Sequence, residues 1–137
     1  MTDFSASRRL LRSRPVTAPK LTDAPPTAQG YLEARPGDIA GRSHLVLIDV
    51  REEAELLEEL GHIHGVRHVP LAQVLAQGLP DVDPGAQVVC ICKAGGRSAK
   101  AATSLVARGF REVYSVSGGM IRWNAEERPI ARTRTWT

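Results

Sequence analysis

Residues 86–98 read Ala-Gln-Val-Val-Cys-Ile-Cys-Lys-Ala-Gly-Gly-Arg-Ser, and they join an uncharged apolar run to a glycine-containing loop. The run over residues 86–92 has the length and the nearly continuous apolar character of a strand buried on both faces of a parallel sheet. Ser98 is a favoured N-cap residue, so a helix is predicted over residues 98–108, with Gly109 at its end. A strand, a tight loop and a helix in this order indicate an α/β fold.

The same alternation of strand and helix extends along the chain on both sides of this stretch. Residues 45–50 form a second apolar run of strand length. Residues 52–60 are predicted to form a helix that directs Leu56, Leu57 and Leu60 inward and five glutamates outward. Such alternation predicts three layers, in which helices cover both faces of a parallel sheet and ligands bind at the carboxyl ends of the strands. The other predicted elements are a helix over 27–35 capped by Thr27 and stopped by Pro36-Gly37, strands over 66–69 and 113–116, a helix over 71–79, and a last helix from Gly118-Gly119 to about residue 127.

The charge of the chain is distributed unevenly. Its 137 residues carry a formal net charge of +3, but residues 1–20 hold five Lys or Arg against one Asp, so the remainder is close to neutral. Residues 1–26 contain four prolines and no sustained apolar period, and they are predicted to be a disordered basic leader. At about 150 residues per domain the chain makes one domain, expected over residues 27–130 and followed by a polar tail over 131–137. Deleting the leader is expected to leave stability nearly unchanged.

Composition excludes several classes of protein. The longest uncharged apolar run, residues 45–48, is far shorter than the roughly 20 residues of a membrane span, so no membrane partner is expected. Two cysteines cannot form a disulfide scaffold in a domain of this size, which indicates a reducing compartment and a cytoplasmic location. The domain shows neither clustered basic residues nor many aromatic residues, so no nucleic-acid partner is expected. We expect a monomer or a weak dimer.

Cys92 is the candidate nucleophile, because it stands at the carboxyl end of the predicted strand, directly before the glycine loop. The backbone N–H groups of a tight loop, the positive end of the following helix and two nearby cations all stabilise negative charge there. A cysteine in such surroundings ionises below its ordinary pKa and acts as a nucleophile near neutral pH. The candidate site therefore consists of Cys92 as the catalytic residue and of Lys93, Ala94, Gly95, Gly96 and Arg97 as substrate-binding residues.

The two cations of the loop are expected to act differently. Lys93 follows the nucleophile directly and is expected to reach solvent, where it attracts an anionic donor. Arg97 stands at the predicted helix start, where its planar guanidinium is expected to hold loop carbonyls or donor oxygens in a fixed geometry.

Four stretches of the chain, in the correct order, resemble the rhodanese family of sulfurtransferases. Residues 92–98 are similar to the family's active-site loop, and together the stretches cover about residues 27–130. Two departures from the family pattern are His64, where proline is usual, and a helix after Arg51 without the usual Pro and Phe. The other three stretches are Ile48-Asp49-Val50-Arg51-Glu52, then Gly61-His62-Ile63-His64-Gly65-Val66 with Pro70-Leu71, and Gly118-Gly119-Met120-Ile121-Arg122-Trp123.

The resemblance implies both a fold and an activity. The fold is a rhodanese-like one with three layers, in which a central five-stranded parallel sheet lies between helices. The implied intermediate is a persulfide of Cys92, with Arg97 as the loop arginine and backbone N–H groups around the sulfur. The implied activity is a sulfurtransferase that moves a sulfane sulfur from a small donor such as thiosulfate to a thiol, cyanide or a protein. Neither a metal nor an organic cofactor is expected.

Two other functions stay open on the sequence alone. Cysteine phosphatases and arsenate reductases share this fold, but they place five residues between cysteine and arginine, whereas four separate Cys92 from Arg97. The shorter loop suits a sulfur atom better than a whole oxyanion. The second alternative is a non-catalytic regulatory module or a sulfur carrier that serves one partner, since a fold does not settle function.

Several other residues fit structural roles better than chemical ones. Cys90 is expected in the core, although a role in resolving oxidised Cys92 as a disulfide is the alternative. Asp49 and Arg51 are expected to form a buried or half-buried ion pair rather than to contact substrate. Structural or surface roles are also expected for His62, His64 and His68, which lack the spacing of zinc ligands, for the solvated glutamates Glu52, Glu53, Glu55, Glu58 and Glu59, and for Trp123 in the core.

Overall fold

Strands and helices alternate along residues 18–137, the part of the chain that the computed structural model describes. Their order follows the alternation predicted from the apolar runs, although several boundaries differ. The strands are β1 (Leu32–Ala34), β2 (Val46–Asp49), β3 (Arg67–His68), β4 (Gln87–Ile91) and β5 (Glu112–Val116), and the helices are α1 (Pro36–Ile39), α2 (Glu53–Leu56), α3 (Leu71–Gln77), α4 (Gly96–Ala107) and α5 (Gly119–Ala125).

The strands form one parallel sheet in the order β1-β5-β4-β2-β3. β4 lies at the centre, where Cys90 is level with Ile48 of β2 on one side and with Ser115 of β5 on the other. Every residue of β4 and β5 is buried, as expected for strands covered on both faces. The predicted α/β fold with a central five-stranded parallel sheet is confirmed. Because all strands run in the same direction, the residue that follows β4 lies at the ligand-binding end of the sheet.

Two hydrophobic cores pack on the two faces of the sheet. One core contains Val74 of α3 and Leu105 of α4, and the other contains Ile39 of α1 together with Met120 and Trp123 of α5. The prediction that helices cover both faces is therefore confirmed, as is the core position of Trp123. Within residues 18–137 no helix is both long and apolar enough to cross a membrane.

The predicted helix over residues 27–35 is wrong, because its second half is an edge strand. Leu32 and Ala34 of β1 are buried and Glu33 is exposed, and β1 pairs in parallel with β5. Thr27 closes a turn instead of capping a helix, since its hydroxyl donates to the carbonyl oxygen of Tyr31 at 2.8 Å. Pro36 begins α1 rather than ending a helix, which is the position in a helix that proline favours.

The helix predicted over residues 52–60 is shorter than expected. α2 is a single turn. After it the backbone forms hydrogen bonds between residues three apart, as in a 3₁₀ turn: the N–H of Leu57 donates to the carbonyl oxygen of Ala54, and the N–H of Glu58 donates to the carbonyl oxygen of Glu55. Leu56 is fully buried as predicted, but Leu57 is 44% exposed, so its predicted inward orientation is wrong. The change of helical pitch rotates Leu57 away from the core.

The described part of the predicted leader packs against the sheet. Residues 1–17 lie outside the described residues, but Leu21 is buried in the core that contains Met120 and Trp123 of α5. Its N–H donates to the hydroxyl of Tyr114 on β5 at 3.0 Å, and Gln87 donates to the carbonyl oxygen of Pro19 at 2.9 Å. A deletion of residues 1–26 therefore removes core contacts, so the expectation that it is neutral for stability no longer holds.

Leu21→Ala is expected to lower the free energy of unfolding by about 2 kcal/mol, because it removes a buried side chain from a segment that can partly relax. The measurement is thermal or urea unfolding followed by circular dichroism. Leu57→Ala is the matched control, since truncation of an exposed leucine changes stability by less than about 0.5 kcal/mol. Equal stability of the two variants would show that the segment does not dock in solution.

Residues 131–137, predicted as a polar tail, run beside β3. The N–H of His68 donates to the carbonyl oxygen of Thr137 at 2.8 Å, and the N–H of Thr137 donates to that of Val66 at 3.0 Å. The ring of Trp136 meets the ring of His62 edge to face, with centroids 4.9 Å apart. The segment is thus held by backbone hydrogen bonds and by an aromatic contact.

Candidate active site

Cys92 directly follows β4 and is buried, with 1% of the residue exposed. The chain then turns at Gly95, whose φ of +117° lies in the left-handed region that residues with a Cβ avoid. α4 begins at Gly96, two residues before the predicted start at Ser98. This turn brings the first residues of α4 back toward the sulfur of Cys92.

Hydrogen-bond donors converge on the sulfur of Cys92. The backbone N–H of Gly95 donates to Sγ at 3.1 Å and that of Ser98 donates at 3.3 Å, while the thiol itself donates to the Ser98 hydroxyl at 3.4 Å. Burial raises the pKa of the Cys92 thiol, but hydrogen bonds from Ser98, Gly95 and Ala94 outweigh it and hold the pKa below its ordinary value. The arrangement therefore favours the thiolate form of Cys92 over that of an ordinary cysteine.

Ser98 does not cap α4, contrary to the prediction. The N-cap position is Gly95, and Ser98 lies inside the first turn with its side chain fully buried. The Ser98 hydroxyl contacts the carbonyl oxygen of Gly95 at 3.2 Å and the hydroxyl of Ser115 on β5 at 2.7 Å. The polar side chain that suggested a helix cap is directed to the sulfur instead.

Arg97 is held by Glu55 of α2, and not by loop carbonyls as expected. Nη1 of Arg97 donates to Oε2 of Glu55 at 2.7 Å and Nη2 donates to Oε1 at 3.0 Å, which is a bidentate pair. The Arg97 guanidinium lowers the pKa of Glu55 from 4.5 to about 2, against the opposing effect of burial. The pair is therefore ionised at neutral pH, and its contribution to stability is lost only as the pH falls from about 4.5 toward 2.

Glu55 is a site residue that sequence reasoning missed. The sequence predicts a solvated helix face for it, but its side chain is 24% exposed and pairs with Arg97. Its carboxylate also accepts the N–H of Glu52 at 2.9 Å and so closes a capping box at the start of α2. The Glu-x-x-Glu spacing is the one sequence signal that could have singled it out.

The first turn of α5 binds the backbone of Cys92, the candidate nucleophile. The N–H of Met120 donates to the carbonyl oxygen of Cys92 at 2.8 Å, and that of Ile121 donates to the carbonyl oxygen of Lys93 at 3.0 Å. Gly119 permits this approach, since a Cβ there would lie 2.4 Å from the first carbonyl oxygen and 2.5 Å from the second. The loop is thus fixed by α5 on one side and by α2, through Arg97, on the other.

Most of the chain matches a known family. A sequence model of the Rhodanese-like domain matches residues 33–126. The chain belongs to the rhodanese-like domain family. The resemblance carried by the four stretches is therefore confirmed.

Relatives of this rhodanese-like domain include characterised and uncharacterised proteins. Thiosulfate sulfurtransferase GlpE of Pseudomonas putida is 38% identical over 80 residues, which are 58% of this chain and 70% of that protein. The uncharacterized protein YqhL of Bacillus subtilis is 38% identical over 87 residues, 64% of this chain and 67% of that protein. The crystal structure of a rhodanese-related protein from Thermoplasma volcanium is 26% identical with a TM-score of 0.66, over 75% of this chain and 100% of that one.

The second cysteine of the rhodanese-like domain is a core residue, as predicted. Cys90 is fully buried, and both Cys90 and Cys92 are free thiols. Burial raises the pKa of Cys90 to about 12, with a further contribution from Cys92 nearby. Cys90 therefore stays protonated under conditions in which Cys92 ionises, and it is a poor nucleophile.

The ion pair at residues 49 and 51 and the histidine at residue 62 support the fold. Arg51 and Asp49 form the predicted buried ion pair, with Nη2 2.7 Å from Oδ2. His62 is fully buried, and its ring nitrogens lie 2.8 Å from the carbonyl oxygen of Leu56 and 2.7 Å from the hydroxyl of Thr135. These contacts assign His62 the structural role that was expected. Among residues 18–137 no three His, Cys, Asp or Glu side chains are grouped so as to hold a metal ion.

A cleft of about 600 Å³ opens beside the loop, between α2 and α5. Lys93 lines it and is exposed, as predicted. Two nearby cations, Arg51 and Arg97, are already paired with carboxylates, so Lys93 is the lining cation without such a partner in the part of the chain that the structure describes. The cleft is also lined by Glu55, Glu58, Glu59, Leu60 and Ile121.

Proposed function

We propose that this rhodanese-like domain is a sulfurtransferase that moves a sulfane sulfur from a donor such as thiosulfate to a thiol, cyanide or a protein acceptor. The single observation that carries the proposal is the pair of backbone N–H donors of Gly95 and Ser98 to Cys92 Sγ, beside the Ser98 hydroxyl, which accepts from the thiol and can donate to a thiolate. Such a set stabilises a sulfur anion before attack and again when the anion leaves. Its likeness to thiosulfate sulfurtransferase GlpE of Pseudomonas putida agrees with this function.

The reaction proceeds in two displacements on sulfur. The Cys92 thiolate attacks the outer sulfur of thiosulfate, an Sγ–S bond forms, and the S–S bond of the donor breaks, with its electron pair leaving on sulfite. The acceptor thiolate or cyanide then attacks the outer sulfur of the Cys92 persulfide, and the electron pair of the Sγ–S bond returns to Cys92. The donors of the loop hold the negative charge in both steps, and no external oxidant or reductant is consumed.

Lys93 and Arg97 have separate tasks in this proposal. Lys93 is exposed in the cleft, forms no ion pair among the described residues, and attracts the anionic donor. Arg97 anchors the loop through Glu55, and Ala94, Gly95 and Gly96 provide the backbone of the cradle. The engagement of both Arg97 terminal nitrogens by Glu55 disfavours a phosphatase or arsenate reductase, which needs its arginine for the oxyanion.

The test is the intact mass of the protein after incubation with thiosulfate. Gain of one sulfur atom that cyanide removes as thiocyanate is the expected result, together with multiple turnovers. An adduct that small acceptors do not remove favours a partner-specific carrier. The absence of an adduct from thiosulfate and from a low-molecular-weight persulfide would overturn the proposal, and hydrolysis of p-nitrophenyl phosphate by the same sample would indicate a phosphatase.

A further inference from the structure

Ser98 has more hydrogen-bond partners than its single proton can serve. Its Oγ lies 3.4 Å from Cys92 Sγ, 3.2 Å from the carbonyl oxygen of Gly95 and 2.7 Å from Ser115 Oγ. A hydroxyl has one proton to donate and two lone pairs to accept with. The Gly95 carbonyl can only accept, and so can the sulfur once Cys92 is a thiolate. These two acceptors therefore compete for the Ser98 proton.

Ser115 can decide this competition. Its side chain is buried, with 5% of the residue exposed, and Ser98 is the one hydrogen-bond partner of its hydroxyl among the described residues. If Ser115 donates to Ser98 Oγ, the Ser98 hydroxyl cannot donate to Ser115 and must direct its proton elsewhere. The hydrogen bond that it accepts also polarises the Ser98 hydroxyl and makes it a stronger donor. The strengthened donor gains most from the acceptor with the largest negative charge, which is the thiolate.

We propose that Ser115 is a positioning residue that orients the Ser98 hydroxyl toward the thiolate of Cys92. The two hydroxyls form a relay from β5 to the sulfur, in which Ser115 donates to Ser98 and Ser98 donates to Cys92. Ser115 itself does not touch the sulfur, and its effect on the site passes through Ser98. In the thiol form the direction of the Cys92–Ser98 bond is reversed, and the Ser98 proton turns to the Gly95 carbonyl.

The thiolate population of Cys92 is the direct readout of this relay. Arg97 on α4 and Cys90 on β4 interact electrostatically with Cys92. Arg97 remains a cation, because its pKa is raised by Glu55, and the pKa of Cys90 is about 12. Neither group titrates between about pH 5 and pH 9, the range in which a perturbed cysteine ionises. A titration in this range therefore reports on Cys92.

The experiment measures the rate of alkylation by iodoacetamide against pH, with one adduct per chain verified by mass. Ser115→Ala is expected to raise the midpoint of the profile by about half a pH unit, and Ser98→Ala by about one unit. The double variant Ser98→Ala/Ser115→Ala is expected to match Ser98→Ala alone, because Ser115 acts through Ser98. Ser117→Ala is the matched control directly after β5, where the hydroxyl donates to Glu33 instead of Ser98, and its profile is expected to coincide with the wild type.

Three outcomes would overturn the proposal. The first is a Ser115→Ala midpoint equal to that of the wild type. The second is a uniform fall of the rate without a change of midpoint, which indicates altered access or packing. The third is an additive shift in the double variant, which indicates that Ser115 acts without Ser98. Alkylation does not require sulfur transfer, so these outcomes are independent of the proposed function.

Discussion

Cys92→Ser is expected to abolish sulfur transfer from thiosulfate to cyanide, with a loss of about a thousandfold or more, while the domain remains folded. A serine hydroxyl in the same place does not ionise near neutral pH and cannot carry a sulfane sulfur. The side chains have nearly the same shape, so the contacts of the loop survive. Thiocyanate formation measures the activity, and circular dichroism with thermal unfolding verifies the fold.

Cys90→Ser is the matched control for this substitution, since it makes the same chemical change two residues earlier on β4. The variant is expected to retain most of the activity and to lose about 1 kcal/mol of stability, because a hydroxyl enters a buried apolar position. A Cys90→Ser protein that is folded and inactive would replace persulfide transfer with a mechanism that uses both cysteines. Activity in Cys92→Ser would contradict the assignment of the nucleophile.

Gly119→Ala is expected to lower the melting temperature by about 10 °C and to reduce kcat as well. The added Cβ would approach the carbonyl oxygen of Cys92 to 2.4 Å, a contact that requires the backbone to move. The φ of +56° at Gly119 also disfavours a residue with a side chain. Relief of the contact pushes α5 away from the loop and weakens the hydrogen bonds that fix the backbone of Cys92 and Lys93. The measurements are thermal unfolding and the rate of thiocyanate formation.

Gly41→Ala isolates the backbone part of this effect. Gly41 has a φ of +75°, but a Cβ there would meet no atom within 4 Å. This variant is expected to lose only about 1 kcal/mol and to keep its kcat. If Gly119→Ala loses no more than Gly41→Ala in stability and in kcat, the contact between α5 and the loop does not hold the site.

The parts of the fold that could be predicted from sequence are those encoded by neighbouring residues. β4 and the loop after it were visible because the apolar run, Gly95 and Arg97 follow one another without interruption. β1 could not be recognised, since its three residues become a strand only through pairing with β5, at the other end of the domain. Local propensity is a weak prior where such distant pairing decides the outcome.

The candidate site divides in the same way. The cysteine and its backbone donors lie within one short segment, and the pattern of residues there was sufficient to predict them. Glu55 is 42 residues from Arg97 in the sequence and Ser115 is 17 residues from Ser98. No local sequence pattern links residues that far apart. Partners of this kind are set by the sheet order, which brings β5 and α2 to opposite sides of the loop.

The segment over residues 131–137 also affects how the domain behaves among other proteins. β3 is the last strand of the sheet, and an outer strand with free N–H and C=O groups is a template on which another chain can add a strand. The carbonyl oxygens of Thr135 and Thr137 accept from the N–H groups of Gly65 and His68, and the N–H of Thr137 donates to the carbonyl oxygen of Val66. These hydrogen bonds are 2.8 to 3.1 Å long. The chain thereby shields its own sheet edge from intermolecular association and aggregation.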